Sequence, residues 1–459
     1  MLLLAVTGTW WLVVASCLAE LASIKLHAPG LLANCAWLTY GRVQPAAWNA
    51  FAYGFATPVG LGVAAWLMCR LAGACLLGGR TIALATLLWN AGVLLGVLGI
   101  LAGDSTGLPT LELPTYASPL LFLAYLGIAV WVVLAFHHRR QAAVYVSEWY
   151  LLGGLFSFPW LYSAANLLAV FCPLRGVLQA ATQAWYAHGL LTLWFTSLSL
   201  AIIFYLGPKL TGVPVPSRSL ATFGFWTLAL FGSLGGLTRY SGGPFPAWMT
   251  SLSVVAEVLT VVPVVAVGLN LVGVWRGQAA AVKASPPLWF ATAALVAFLI
   301  AGVLAALNAL PSISRVTHFT LVTPALELLN LQGMVALALL GALYFLIPHL
   351  AGGAWPLRGL VRLHFVCAVA GVLIGFAALG VGGVSQGLAM NDPAVPFFGV
   401  VKVYLPFAAT GTLANLLLAL GNLMLFVNLI WLLVRQALTA FVPVAKTWVA
   451  GAATAEVRA

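Results

Sequence analysis

Apolar residues in this chain do not alternate with polar ones at the period of a surface helix or strand. They come in long runs, separated by short segments that hold Gly, Pro and the few charges. A run of about 20 residues crosses roughly 30 Å of hydrocarbon as a helix, and a helix satisfies its own backbone where no water is present. Such runs lie at 3–22, 49–74, 81–103, 116–136, 149–171, 180–206, 219–238, 249–275, 287–309, 321–348, 361–384 and 407–434. They predict an all-α polytopic membrane protein. Its twelve-helix bundle forms a single membrane domain over 1–459, with spans from about 3 to 434 and a short tail at 435–459. The first run lacks a basic start and carries Trp10 and Trp11, so it reads as a retained span and not a cleaved signal.

Most connections are short and carry turn residues, such as Gly103-Asp104-Ser105 and Gly352-Gly353-Ala354. Two are longer: 23–48, with Pro29-Gly30 and Tyr40-Gly41-Arg42, and 385–406, with Asn391-Asp392-Pro393. Both are expected at the outer face, as docking segments or simple lids. No internal repeat of the kind that builds many transporters emerges. The Ala-rich stretch after Trp448 is expected to be poorly ordered.

Composition adds direction to this picture. With 63% hydrophobic and 6% charged residues, the chain lies far from a soluble domain, where about a quarter of residues are charged. The formal charge of +11 resides in connections between spans, which excludes a nucleic-acid partner and leaves the lipid bilayer. If the N-terminus is cytoplasmic, thirteen of the 19 Lys and Arg lie inside, among them Arg70, Arg139, Arg140, Lys209 and Arg218. That asymmetry predicts a multi-pass membrane protein with both termini cytoplasmic. The six cysteines form no C-x-x-C pair or zinc cluster. Cys35 and Cys172 fall near the outer face, where a disulfide is open, whereas Cys17, Cys69 and Cys367 read as apolar fillers.

Candidate chemistry begins at Trp185-Tyr186-Ala187-His188, followed by a helix ending Phe204-Tyr205-Leu206-Gly207-Pro208-Lys209. Phe225-Trp226 and Pro246-Ala247-Trp248-Met249 follow, then Gly341-Ala342-Leu343-Tyr344-Phe345-Leu346-Ile347-Pro348 and Arg362-Leu363-His364-Phe365. In order and spacing, over roughly 38–432, these segments resemble subunit I of the C-type (cytochrome cbb type) haem-copper oxidases. The resemblance implies a twelve-helix subunit of a respiratory electron-transfer complex. It also implies two haems and a copper held by six histidines on the second, sixth, seventh and tenth helices. Only His188, at a copper-ligand position, matches. The other ligand positions fall on Ala47, Thr238, Arg239, Leu326 and Leu328, the redox-active tyrosine falls on Gly232, and the ninth-helix glutamate falls near Ala301. Alanine and leucine donate nothing to iron or copper, and Arg239 repels a cation.

The expectation is therefore a divergent homologue without haem or copper, in which His188 is a remnant metal-ligand position and no residue is catalytic. Its role would be structural or partner-docking beside other membrane subunits, with a c-type cytochrome at the outer face. Two alternatives stay open: an active cytochrome c oxidase or nitric oxide reductase subunit binding haem b and copper, and a secondary transporter. Intramembrane carboxylates are costly and mark candidate sites, here Glu257 and Glu327. Glu327 is expected to point away from the former haem pocket and to pair with Arg239 or Arg315. His349 and His364 are expected at helix ends near the cytoplasmic surface, His137 and His138 as an anchor there, and His27 and His318 outside. Leu326, Leu328, Trp48 and Phe231 are expected to fill the volume the haems would take, because empty apolar space costs about 24 cal/mol per Å³.

Overall fold

The computed structural model describes the backbone of residues 1–456 and the side chains of residues 1–439. Among these, twelve helices are long and apolar enough to cross a membrane. They are α1 (Leu2–His27), α2 (Tyr40–Ala72), α3 (Gly79–Ala102), α4 (Ser118–His137), α5 (Val146–Phe171), α6 (Val177–Thr211), α7 (Arg218–Leu234), α8 (Ala247–Trp275), α9 (Pro286–Ala309), α10 (Val322–Ala351), α11 (Arg358–Met390) and α12 (Phe397–Glu456). A 3₁₀ turn, Leu237–Tyr240, follows α7, and a short helix, Pro311–Thr317, precedes α10.

Burial separates these helices into two classes. The most apolar stretches of α2, α6 and α10 are 78%, 89% and 72% buried, against 39–50% in the other nine, so these three form the core and the rest surround them. The period of four spans was invisible as a sequence repeat. Small residues allow the close approach: a methyl on Gly60 of α2 would collide with Leu198 of α6, and one on Gly54 would meet Trp11 of α1 at 2.7 Å. All three inner helices also contain a π-helical segment, at Ala50–Ala56, Leu190–Thr196 and Leu329–Ala336. Such wide turns leave backbone carbonyls poorly paired. Thr57 and Thr196 each donate a hydroxyl five residues back, to Ala52 O and Leu191 O at 2.8 Å.

We call the face where α2, α6 and α10 begin the upper face. Towards the lower face the three meet in an aromatic junction, with Trp66, Tyr205 and Phe345 edge-on to one another at centroid distances of 5.7–6.2 Å.

Span centres agree with the sequence pattern, but several ends do not. The two connections expected to be long shrink to 28–39 and 391–396, because α1, α2, α11 and α12 extend past their apolar runs. Tyr40-Gly41-Arg42-Val43-Gln44-Pro45 reads as a turn by its Gly, Pro and charge, yet it forms the first turns of α2. Arg42 there donates to Leu101 O at 3.1 Å, and Asn49 Nδ2 donates to Pro45 O at 2.8 Å. The tail expected after 434 is also helical, continuing α12 to Glu456; its side chains from 440 onward, and residues 457–459, lie outside the described residues. Cys35 and Cys172 are both free, which removes the disulfide.

Candidate functional site: a polar chamber at the upper face

His188 sits near the upper end of α6, immediately before its π-helical segment. At the end of α7, Gly235 and Gly236 turn the chain so that the 3₁₀ turn carries Thr238 and Arg239 across the mouth of the helix bundle. Gly236 adopts φ +103°, a left-handed conformation that favours glycine, and a methyl there would lie 2.8 Å from Ala184 O. Ser253 and Glu257 of α8 are four residues apart and so share a helix face, which points at this turn. Leu326, Glu327 and Asn330 come from α10, and His318 and Phe319 from the connection before it. Together they enclose a cavity of about 480 Å³.

Its polar groups are largely committed to one another. Glu257 accepts from Gly236 N at 2.8 Å and from the Thr238 hydroxyl at 2.9 and 3.1 Å, and Ser253 Oγ accepts from Leu237 N at 2.9 Å. The carboxyl thus holds the turn, while His188 Nδ1 lies 4.0 Å from its Oε1. The other imidazole nitrogen, Nε2, is buried without a partner and abuts Gly235, where a methyl would collide with it. At the rim Arg239 Nη2 donates to Glu327 Oε1 at 3.0 Å, with the two side chains 52% and 46% exposed. Tyr240 donates to Gln183 Oε1 at 3.3 Å, and Gln183 Nε2 donates to Pro109 O at 2.8 Å, which ties the chamber to the connection between α3 and α4. Burial lowers the His318 imidazole below its ordinary value; its hydrogen bond to the Arg239 main chain opposes this, and the guanidinium charge adds to it. Phe319 beside it is 80% exposed and held at φ +60°.

A second cavity, about 130 Å³, lies between α1, α2, α10 and α12 and is lined by Ala47, Trp48, Phe51, Leu331, Gln332 and Leu418 among others. Ala47 thus opens on a different space from His188. Leu326 and Leu328 diverge in the same way, Leu326 lining the chamber and Leu328 packing against Gly375 of α11.

The structure brings His188, Thr238, Arg239 and Leu326 to one place, and Ala47 to another. Several expectations are corrected. Glu327 does not point away but lines the chamber at its rim, half-exposed, where the expected pairing with Arg239 draws it across the opening. Of the side chains expected to fill space, Trp48 lines the smaller cavity, Leu326 lines the larger one and Phe231 lines neither. His364 lies at the start of α11, fully buried, with Nδ1 2.8 Å from the Tyr344 hydroxyl, so it meets no C-terminal dipole or headgroup. His349 and His138 do sit at helix C-termini, each with Nδ1 at a main-chain oxygen four residues back, at 2.7 and 2.8 Å. Gly232 packs against Thr192, whose hydroxyl donates to its carbonyl at 3.2 Å.

Glu112 was missed because it lies in a loop, yet it is 9% exposed and accepts from Asn49 Nδ2 at 3.0 Å. Burial pushes its carboxyl above the usual range, and the bond from Asn49 opposes this. Close by, the Tyr53 and Tyr186 hydroxyls bond to each other between α2 and α6. Glu20 of α1 was also overlooked; its Oε2 is buried without a partner.

Comparison with known proteins decides the family, because the profile for cytochrome c and quinol oxidase polypeptide I matches residues 1–417. The chain belongs to this haem-copper oxidase subunit I family. Its relatives are distant and match along most of their length. The chain is 24% identical to cytochrome c oxidase subunit 1 of Rhodobacter capsulatus, over 96% of this chain and 86% of that protein. It is 23% identical to the Cbb3-type cytochrome c oxidase subunit CcoN1 of Stutzerimonas stutzeri, over 87% and 86%. Among solved structures, a haem-copper terminal oxidase dimer superposes with a TM-score of 0.70 at 15% identity, covering 93% of this chain and 84% of that one, which establishes the shared fold.

Proposed function

We propose that this haem-copper oxidase subunit I relative is a member of the C-type branch that binds neither haem nor copper and serves a respiratory membrane complex as a structural, partner-docking subunit. The observation that carries this reading is the donor set of the chamber. The positions where the family's metal ligands fall converge there as one imidazole, a threonine, an arginine and a leucine. The donor set does not fit the group: copper of this kind needs about three imidazoles, and a haem iron needs an axial donor. Among the described residues no group of three or more His, Cys, Asp or Glu is placed to hold a metal ion. His188 Nε2 faces the α7 backbone at Gly235, and Glu257 is engaged by Gly236 and Thr238. In this reading Glu257 replaces a metal as the element that fastens the end of α7 to α8. The basic lower face is cytoplasmic, as are both termini, and the upper rim meets the partners, with a c-type cytochrome the expected class.

The test is oxygen and nitric oxide consumption by the complex carrying His188→Ala. Unchanged rates agree with a structural role, and abolished turnover in a stably assembled complex refutes it.

A further inference from the structure

A cavity at the lower face lies far from the chamber and belongs to no part of the reading above. It has a volume of about 430 Å³ and sits where α2 and α6 end, below the Trp66–Tyr205–Phe345 junction. Its wall carries two cations, Arg70 from the last turn of α2 and Lys209 from the last turn of α6, and two phenols, Tyr145 and Tyr205. Arg70 and Lys209 are exposed, whereas Tyr205 is buried and Tyr145 half-buried, so charge lines the opening and hydroxyls line the floor.

Neither cation has a carboxylate partner among the described residues, and each carries a full charge against the roughly half charge of the helix C-terminus it closes. Among the described residues the ion pairs are His188–Glu257 and Arg239–Glu327, both at the other end of the molecule. The carboxylate nearest along the chain, Glu148, is occupied as a helix cap, accepting from Tyr145 N at 2.6 Å. Tyr145 gives its proton to Phe204 O at 3.3 Å, which leaves its oxygen without a proton to offer, so the donors of this wall are the two cations and the Tyr205 hydroxyl.

We infer that this cavity binds a phosphate group, with Arg70 and Lys209 clamping its oxygens above the two phenols. A planar guanidinium and a compact ammonium on separate helices suit a tetrahedral anion, one as a two-pronged donor and the other as a point charge. The site opens where basic residues flank the spans, at headgroup depth, so its phosphate is that of an anionic phospholipid or a free one. Bound there, it would tie the ends of α2 and α6 together and reinforce the core from below.

The test uses the full chain in neutral detergent and native mass spectrometry with added phosphatidylglycerol or phosphatidylcholine, with and without millimolar inorganic phosphate. The wild type should retain one phosphatidylglycerol and no phosphatidylcholine. Each interfacial cation contributes about fivefold, so the variant R70A/K209A should bind about 30-fold more weakly. R139A/R140A, which removes the same charge beside the cavity, should bind as the wild type does. Loss of the bound lipid in the presence of phosphate assigns the site to free phosphate, and retention assigns it to the lipid. Equal retention by wild type and R70A/K209A, or equal loss in both double variants, overturns the site. Far-UV circular dichroism of each variant separates lost binding from lost folding.

Discussion

The two cavities that α10 lines are held in different ways. Around Ala47 the lining is mainly apolar, and Trp48, Phe51 and Leu331 leave only about 130 Å³. Around His188 about 480 Å³ is open, and its wall is bridged by the pairs Thr238–Glu257 and Arg239–Glu327. Empty apolar space costs roughly in proportion to its volume, whereas a buried polar group costs when its partner is removed. The lesson is that one side of the scaffold rests on packing and the other on hydrogen bonds.

The sharpest way to break this contrast is Glu257→Leu. It strips partners from the Gly236 amide and the Thr238 hydroxyl, and should cost about 2–6 kcal/mol, at about 1–3 kcal/mol for each polar group left without a partner. Thermal unfolding of the detergent-solubilised chain checks it; an unchanged midpoint would mean the chamber is not held by its polar network. On the other side, Ala47→Val should gain about 0.5–2 kcal/mol by filling the smaller cavity. A loss there would show that the apolar side has no room to spare.

Glu112 sharpens the comparison through pH. Its native carboxyl holds a proton more tightly than the unfolded chain does, so stability is greatest below the ordinary carboxylate value and falls as pH rises through the raised native one. Glu112→Gln should flatten that slope, and a slope unchanged in the variant would assign it to other groups. The smallest effect is expected at the rim. Arg239→Gln breaks a half-exposed ion pair, for which about 0.2–1 kcal/mol is usual, and its cost should shrink further in high salt.

Much of this was legible in the chain. The run at 81–103 is α3 (Gly79–Ala102), and that at 287–309 is α9 (Pro286–Ala309), because uninterrupted apolar sequence marks a span directly. The start of α2 was not legible, since helix at the membrane surface tolerates the Gly, Arg and Pro that mark turns in water. Spacing within the resemblance placed Thr238, Arg239 and Leu326 near His188. It could not show that Gly235 would cover His188 Nε2, or that Glu257 would reach across from α8. The π-helical segments and the Tyr53–Tyr186 contact between α2 and α6 had no local signature.

The central proposal is that this chain binds no haem, His188 being the one position that matches the family's ligand set. The most direct test is the reduced-minus-oxidised absorbance spectrum of the purified chain. The account predicts no haem bands at any appreciable stoichiometry, whereas a b-type spectrum at one or two haems per chain would contradict it.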